Sequence, residues 1–464
     1  MKLDVYKHIY LIGVGGIGMS ALARYFNTQG KLVFGYDKVR SDLCIELENE
    51  GVVINYNDKV SNVPKLIKYC ANSDVLVIYT PAIPNDNQIL LYFLSKGLKV
   101  LKRAEVLGII SKNIFTVAVA GTHGKTTTST MLSHVLKKAG KSSTAFLGGI
   151  SRNYNTNFLF SKKNDILIVE ADEFDRSFLE LYPDIAIITS VDIDHLDVYE
   201  DENDLKLAFI QFASQVKELL VIEKSVSLNF KLNVNAKKVE YSTKYGAEFF
   251  ADNIRIKNGK MVFDIKGLVG NSDVYFEKKQ VNIELQMPGE HNISNAIAAS
   301  TVANYLGLSY SQIAEGLVTF KGIKRRYEKH IETEKMVFID DYAHHPQEVS
   351  ATIDTTKQLY PYRELIVVFQ PHLFSRTKNF VTEFAISLQG ADDLVLLDIY
   401  PAREKPIKGV NSKMLLDLCN NNRKELCKKD ELLTVLKNKE IDILLTLGAG
   451  DIGSLAQPIK HMLN

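Results

Sequence analysis

The chain has 464 residues, 46% hydrophobic and 24% charged, with 56 basic against 55 acidic side chains and a formal net charge of +1. Its length exceeds one ordinary core and predicts about three domains at roughly 150 residues each, while its charge balance removes the electrostatic case for nucleic acid or an anionic membrane surface as partner. No apolar run reaches the roughly 18 residues of a membrane span, and Cys44, Cys70, Cys419 and Cys427 form no CxxC pair, which argues against zinc or a redox motif and for a reducing, cytoplasmic setting.

Lys2 and Lys7 before the apolar stretch Ile9 to Met19, followed by Ala21-Leu22-Ala23, have the outline of a signal peptide. Asp4 and four interrupting glycines fit a strand, turn and helix better. Strands are expected at Ile9–Ile12, Leu32–Phe34, Val52–Ile54, Val75–Tyr79 and Val100–Leu101, with helices between several of them. That alternation predicts a parallel sheet covered by helices. Gly13-Val14-Gly15-Gly16-Ile17-Gly18 follows the first strand and opens a helix, and Asp37 ends the next strand. Gly13, Gly15, Gly16 and Gly18 leave room for a pyrophosphate, and Asp37 suits a ribose hydroxyl. The pattern predicts a bound diphosphate without saying which nucleotide carries it; a purely structural glycine turn is the alternative.

A second α/β unit starts near Phe115. The β-branched run Phe115 to Ala120 leads into Gly121-Thr122-His123-Gly124-Lys125-Thr126-Thr127 and then a helical segment, Thr127 to Ala139. A strand, a glycine turn carrying Lys-Thr and a helix make a phosphate cradle: backbone N–H groups and the helix N-terminus face the phosphates. Lys125 is placed to reach the β/γ-phosphates and Thr126 to offer its hydroxyl to Mg²⁺. The loop is shorter than the common P-loop, because Val119 stands where that motif requires glycine, which points away from GTPases and motor ATPases.

Two acidic clusters follow apolar strands. Glu170-Ala171-Asp172-Glu173-Phe174-Asp175 puts Glu170 at a strand's carboxyl end, where α/β sheets bind ligands, and a carboxylate there suits Mg²⁺. Asp172 and Asp175 fit a solvated acidic turn. In Asp192-Ile193-Asp194-His195-Leu196-Asp197, position favours His195 as a metal ligand over a structural imidazole. Residues 239–286 alternate apolar and polar, with turn signals such as Lys257-Asn258-Gly259, and predict antiparallel hairpins. In Gly289 to Asn295, Asn292 and Asn295 share a helix face; by themselves they fit a helix N-cap, and their amides also suit a base edge.

The third unit begins near Gly322, with strands expected at Val337–Ile339, Leu365–Phe369, Leu394–Leu397 and Ile443–Leu447 and a turn at Gly448-Ala449-Gly450-Asp451. Polar groups cluster in Lys324-Arg325-Arg326, in Asp340-Asp341-Tyr342-Ala343-His344-His345-Pro346 and in Gln370 to Thr377 with Arg376. The arginines suit phosphate or carboxylate; singly these are weak signals.

Together the motifs resemble the Mur ligases, ATP-dependent amide-forming enzymes of peptidoglycan synthesis. The match runs nearly end to end: H-x-x-x-x-G-x-G-G-x-G-M-S from His8 to Ser20, then G-T-H-G-K-T-T, E-A-D-E-x-D, D-H-x-D, P-G-x-H-N-x-x-N, K-R-R, D-D-Y-x-H-H-P and F-Q-P-H-x-x-x-R-T. Gly-Met-Ser brings it closest to the member that attaches L-alanine to UDP-N-acetylmuramate. The resemblance implies an α/β protein of three domains, near 1–108, 109–321 and 322–464: Rossmann-like for the UDP-sugar, P-loop ATPase-type, and Rossmann-like again, closing over the site. It implies UDP on the first glycine loop. Gly121, Thr122, His123, Gly124, Lys125, Thr126, Thr127, Asn292, Asn295, Arg326 and Asp341 would bind ATP. Thr126 and Glu170 would hold one Mg²⁺ and His195 a second, and His344, His345 and Arg376 would face the reacting groups.

Two departures stand out. The sister ligases carry a carbamylated lysine where this chain has Ile210, and Lys206 is out of register, so no such modification is expected. Many alanine-adding members have arginine where this chain has Leu373, leaving Arg376 as the expected substrate arginine. Three rivals remain at this level: a ligase joining a recycled peptide to the same sugar, an NAD-dependent dehydrogenase using the first glycine loop, and an ATP-driven switch.

Overall fold

The computed structural model describes residues 2–192, 198–230, 234–257, 260–267, 282–402 and 404–464. The first sheet comprises β1 (His8–Ile12), β2 (Leu32–Tyr36), β3 (Val53–Asn55), β4 (Val75–Tyr79) and β5 (Lys99–Lys102), all parallel, in the order β3-β2-β1-β4-β5. The winding reverses between β1 and β4, and in such sheets ligands bind beyond the carboxyl ends at that reversal. The glycine loop sits there, between β1 and the helix Ile17–Thr28. Gly13 has φ +85°, a left-handed conformation that glycine takes without strain.

The second sheet has ten strands: β6 (Phe115–Ala120), β7 (Ser143–Ser151), β8 (Thr156–Leu159), β9 (Ile166–Ala171), β10 (Ile185–Ile188), β11 (Leu219–Glu223), β12 (Lys237–Ser242), β13 (Phe249–Lys257), β14 (Lys260–Gly267) and β15 (Ile283–Leu285). Their order is β15-β14-β13-β12-β11-β10-β6-β9-β7-β8. Central β6 and β10 are buried almost throughout, which is why they read as continuous apolar runs. The third sheet, from β16 (Glu328–Glu332), β17 (Val337–Asp341), β18 (Leu365–Phe369), β19 (Asp393–Leu397), β20 (Arg423–Cys427) and β21 (Ile443–Leu447), runs β16-β17-β21-β18-β19-β20. Only β16 among them pairs antiparallel.

By contacts, residues 1–253, 263–283 and 292–321 form one compact unit and 254–262, 284–291 and 322–464 a second. Inside the first unit, the two sheets share one apolar core that runs from Ile9 and Leu22 through Phe146 and Phe158 to Val169. Asn157 on β8 donates to Ile17 O at 2.5 Å and to Ser20 Oγ at 2.9 Å, and receives Arg24, which is also paired with Glu46 and Glu50. Among the described residues no helix is long and apolar enough to cross a membrane.

The expectation of antiparallel hairpins over 239–286 needs correction at its start. β12 pairs parallel with β11 and β13 pairs parallel with β12, so the alternation there belongs to the outer part of a parallel sheet with one face less covered. Asn258 and Gly259 lie outside the described residues. Two antiparallel pairings went unpredicted, β7 with β8 and β16 with β17.

Candidate active site

β6 delivers the Gly121–Thr127 loop, and its neighbours β9 and β10 are both parallel to it, so the three carboxyl ends lie side by side. The helix Lys125–Lys138 starts two residues earlier than its apolar pattern indicated, capped by Gly124 at φ +82°. A Cβ on Gly124 would collide with the Asn295 amide oxygen; glycine here allows both the left-handed turn and the close approach. The segment after β10 braces the loop. His123 N donates to Ser190 Oγ at 2.9 Å, Thr122 N to Ser190 O at 3.1 Å, and Thr189 Oγ1 to His123 O at 2.5 Å.

Lys125 Nζ donates to Gly121 O at 2.7 Å and to both carboxylate oxygens of Glu173, at 2.9 and 2.7 Å. Burial alone would lower this ammonium's pKa. The carboxylates of Glu173, Asp172 and Glu170 more than offset that, and the net shift is upward, so the lysine stays charged. Glu170 ends β9. Its carboxylate accepts from Gly148 N at 2.7 Å, Thr126 Oγ1 at 3.2 Å and Ser129 Oγ at 3.3 Å. Burial raises its pKa, with Gly148, Lys125 and Thr126 acting in the opposite direction. A Cβ on Gly148 would strike the same carboxylate, so glycine at 148 makes room for Glu170.

The helix Glu290–Tyr305 brings Asn295 to the loop: its Oδ1 accepts from Thr128 Oγ1 at 3.1 Å, and its Nδ2 donates to Asn292 Oδ1 at 3.4 Å. Both asparagines are buried. His195 lies outside the described residues, together with Asp194 and Asp197. Lys206 is spent in an i,i+4 pair with Glu202 at 2.7 Å. Asp172 and Asp175, expected in a solvated acidic turn, are both partly exposed and lie beside cations: Asp175 Oδ2 accepts from Lys102 at 3.0 Å, and Asp172 lies 3.7 Å from Arg103.

At the first glycine loop, Asp37 Oδ2 accepts from Gly15 N at 2.8 Å, and Asp37 Oδ1 from Val39 N at 3.1 Å. The carboxylate thus fixes the loop as well as standing at the strand end. The Arg103 guanidinium lies against Gly18.

In the second unit, Asp341 at the end of β17 accepts from Tyr327 N at 2.5 Å and Ala343 N at 2.7 Å. Burial lifts its pKa to about 6, against the Arg326 charge and those two N–H groups. His344 Nδ1 lies 3.0 Å from Tyr342 O and 3.2 Å from Glu348 Oε2, and Arg326 lies 3.7 Å from Glu348. The His344 ring meets His372 edge-on, His372 stacks on Tyr400, and Arg376 Nη1 is 3.4 Å from His372 Nδ1. His345 differs from its neighbour: its ring is buried against Phe380, and its backbone N at the N-cap position of the helix Pro346–Leu359 donates to Glu348 Oε2 at 3.4 Å. Leu373, which stands at the departure from the usual arginine, has φ +71°.

Sequence reasoning missed Glu173, Gly148, Ser129, Ser190 and Glu348. Glu173 was visible as an acid two residues before another acid, but no periodicity says that its side chain turns back to Lys125. Gly148 carried no signal, because what it accommodates comes from another strand.

Three family descriptions match in succession: Mur ligase family, catalytic domain, over residues 8–114; Mur ligase middle domain over 119–303; and Mur ligase, glutamate ligase domain, over 325–450. The chain is 46% identical to the UDP-N-acetylmuramate–L-alanine ligase of Flavobacterium psychrophilum, covering 100% of both chains. It is 44% identical to that of Parabacteroides distasonis, over 100% of this chain and 98% of the relative. Among solved structures, UDP-N-acetylmuramate-alanine ligase from Thermotoga maritima superposes with a TM-score of 0.82 at 27% identity, covering 98% of this chain and 99% of that one. A murein peptide ligase from Psychrobacter arcticus shares the fold, with a TM-score of 0.71 at 21% identity and 98% coverage of each chain. With its three α/β domains, three successive family matches and full-length relatives, the chain belongs to the Mur ligase family.

Proposed function

We propose that this protein joins L-alanine to the carboxylate of UDP-N-acetylmuramate, converting ATP to ADP and phosphate, as a cytoplasmic step of peptidoglycan precursor synthesis. The observation that carries the chemistry is the convergence of Lys125, Thr126 and Glu170 where β6 and β9 end. The full-length similarity to L-alanine ligases favours this acceptor over a recycled peptide. A dehydrogenase would leave this second phosphate site without a task.

Mg²⁺ binds through one or two carboxylates together with substrate phosphates. The Glu170 carboxylate and the Thr126 hydroxyl, 3.2 Å apart beside the helix N-terminus, suit it, and His195 is the proposed further ligand. The ion would supply charge neutralisation between the muramoyl carboxylate and the γ-phosphate, both anionic. The protein's own groups act with it. Gly121 to Thr127 cradle the phosphates, Lys125 meets the charge on the transferring phosphoryl group, and Asn292, Asn295, Arg326 and Asp341 hold ATP. Gly13, Gly15, Gly16, Gly18 and Asp37 hold the UDP portion.

The carboxylate oxygen bonds to the γ-phosphorus as the bond to ADP breaks. The neutral amine of L-alanine then attacks the acyl carbon, and phosphate leaves. His344 is the better candidate base of the histidine pair, since Tyr342 O and Glu348 orient its Nδ1, whereas the His345 ring is buried against Phe380. Arg376 binds substrate carboxylate or the departing phosphate. Exclusion of water from the site would protect the acyl phosphate. Phosphate release measured with ATP, Mg²⁺, UDP-N-acetylmuramate and each amino acid in turn tests the reading. Release that needs both the sugar nucleotide and L-alanine supports it; release without the sugar nucleotide, or nicotinamide reduction, overturns it.

A further inference from the structure

Glu173 is not one of the groups assigned above to ATP, metal or sugar nucleotide, yet it makes the closest charge contact with the phosphate-loop lysine. Its side chain is fully buried, with 0% exposure. A buried ion pair is weak grounds for stability, because desolvation of both charges offsets their attraction. The backbone that carries this carboxylate is also strained just beyond it and held in place. After Glu173 the backbone is left-handed at two successive non-glycine residues, Asp175 and Arg176, each at φ +54°. Such conformations persist where surrounding contacts over-determine them. Here Tyr199 Oη donates to Glu173 O at 2.6 Å, and Arg176 Nη2 donates to both Asp204 oxygens at 2.7 and 2.6 Å.

We infer that Glu173 is a positioning residue for Lys125, a stand-in anion that holds the ammonium at the phosphate cradle and yields one hydrogen bond to the γ-phosphate when ATP arrives. A lysine ammonium has three donors, and Gly121 O and the two Glu173 oxygens engage all three. To meet a phosphate the lysine must release one. Glu173 supplies two of the three contacts, so it is the partner that gives up a bond while still holding the ammonium with its other oxygen. The four-carbon stem of lysine is flexible, and this tether keeps its charge aligned with the phosphoryl group through transfer. The inference rests on the proposed ATP-loop role of Lys125.

The test compares Glu173→Gln, Glu173→Asp, Lys125→Ala and the double variant Lys125→Ala/Glu173→Gln, by phosphate release for kcat and by calorimetric titration with a non-hydrolysable ATP analogue. Glu173→Gln should lower kcat about 10- to 100-fold, the scale of a misplaced catalytic group. It should bind the analogue as tightly as the parent or more tightly, because a competing anion is gone. Glu173→Asp, which keeps the charge, should recover part of the kcat. In the Lys125→Ala background, Glu173→Gln should leave kcat unchanged, and it should raise the melting temperature by removing a stranded buried carboxylate.

Parent-like kcat in Glu173→Gln, or analogue affinity lost in step with kcat, would overturn the inference. So would a double variant that melts no higher than Lys125→Ala, a comparison that holds even if Glu173→Gln alone folds poorly. Parent-like activity in Lys125→Ala would instead overturn the ATP-loop reading beneath it.

Discussion

Glu170→Gln separates charge from shape at the proposed metal site. The carboxylate accepts three hydrogen bonds, from Gly148 N, Thr126 Oγ1 and Ser129 Oγ. A glutamine of the same size can keep the bond from Gly148 through its oxygen, and a rotated hydroxyl can accept from its amide. The loss of fold is therefore small, and the sign of the stability change is opposite to that of the activity change. Burial raises the Glu170 pKa: the unfolded chain ionises first as pH rises, so the folded state carries a penalty present above the folded pKa and absent below the unfolded one. In metal-free buffer at neutral pH, Glu170→Gln should melt at or above the parent, and the difference should vanish on acidification. Activity should fall about 10²- to 10³-fold, or roughly 3–4 kcal/mol, the scale for removing one charge stabiliser from a transition state. The assays are phosphate release across a Mg²⁺ titration and a thermal melt of the same preparation. Near-parent turnover, or full recovery at high Mg²⁺, would refute the role of Glu170. A large drop in melting temperature would refute the claim that its charge serves function at the expense of stability.

Further perturbations test the other parts. Gly15→Val places a Cβ 2.5 Å from Cys44 Sγ and 3.0 Å from Asp37 Oδ2. It should raise the KM for UDP-N-acetylmuramate far more than that for ATP; equal losses would point to general damage. His195→Ala, on the proposal that this residue holds a second ion, should be milder than Glu170→Gln and partly recover as Mg²⁺ is raised, whereas a Mg²⁺ profile identical to the parent's would remove it from the metal site. His134 is buried between Tyr154 Oη and Thr319 Oγ1, and burial, then Lys138 and Lys137, lower its pKa from 6.5 to about 4. The unfolded chain takes up that proton first as pH falls, so stability is lost between those two values. His134→Gln should lose less melting temperature than the parent across that window; equal losses would contradict the assignment.

The sheets were legible because their strands are apolar on both faces: the expected Val75–Tyr79, Leu365–Phe369 and Ile443–Leu447 coincide with β4, β18 and β21. Where a strand is half-covered, alternation alone does not reveal its partner: β12 pairs parallel with both β11 and β13, where the alternation predicts hairpins. At the candidate site, residues fixed by the local chain were readable: the glycines before a helix, Glu170 at a strand end, Asp37 after the next strand. Groups that meet through tertiary approach were not. Glu173 meets Lys125 from the turn after β9, across 48 residues of chain, and Gly148 serves Glu170 from a neighbouring strand. His344 and His345 are adjacent in sequence and look equivalent there. Packing separates them, one beside His372 and the other against Phe380.

The central claim is that the muramoyl carboxylate is activated by phosphorylation and then captured by the amine of L-alanine. UDP-N-acetylmuramate labelled with oxygen-18 in that carboxylate tests it most directly. With ATP, Mg²⁺ and L-alanine, each turnover should transfer one carboxylate oxygen into the phosphate released, detectable by mass spectrometry alongside the alanyl amide. Amide formed with unlabelled phosphate would contradict the account, because the oxygen bridging carbon and phosphorus in an acyl phosphate can come only from the carboxylate.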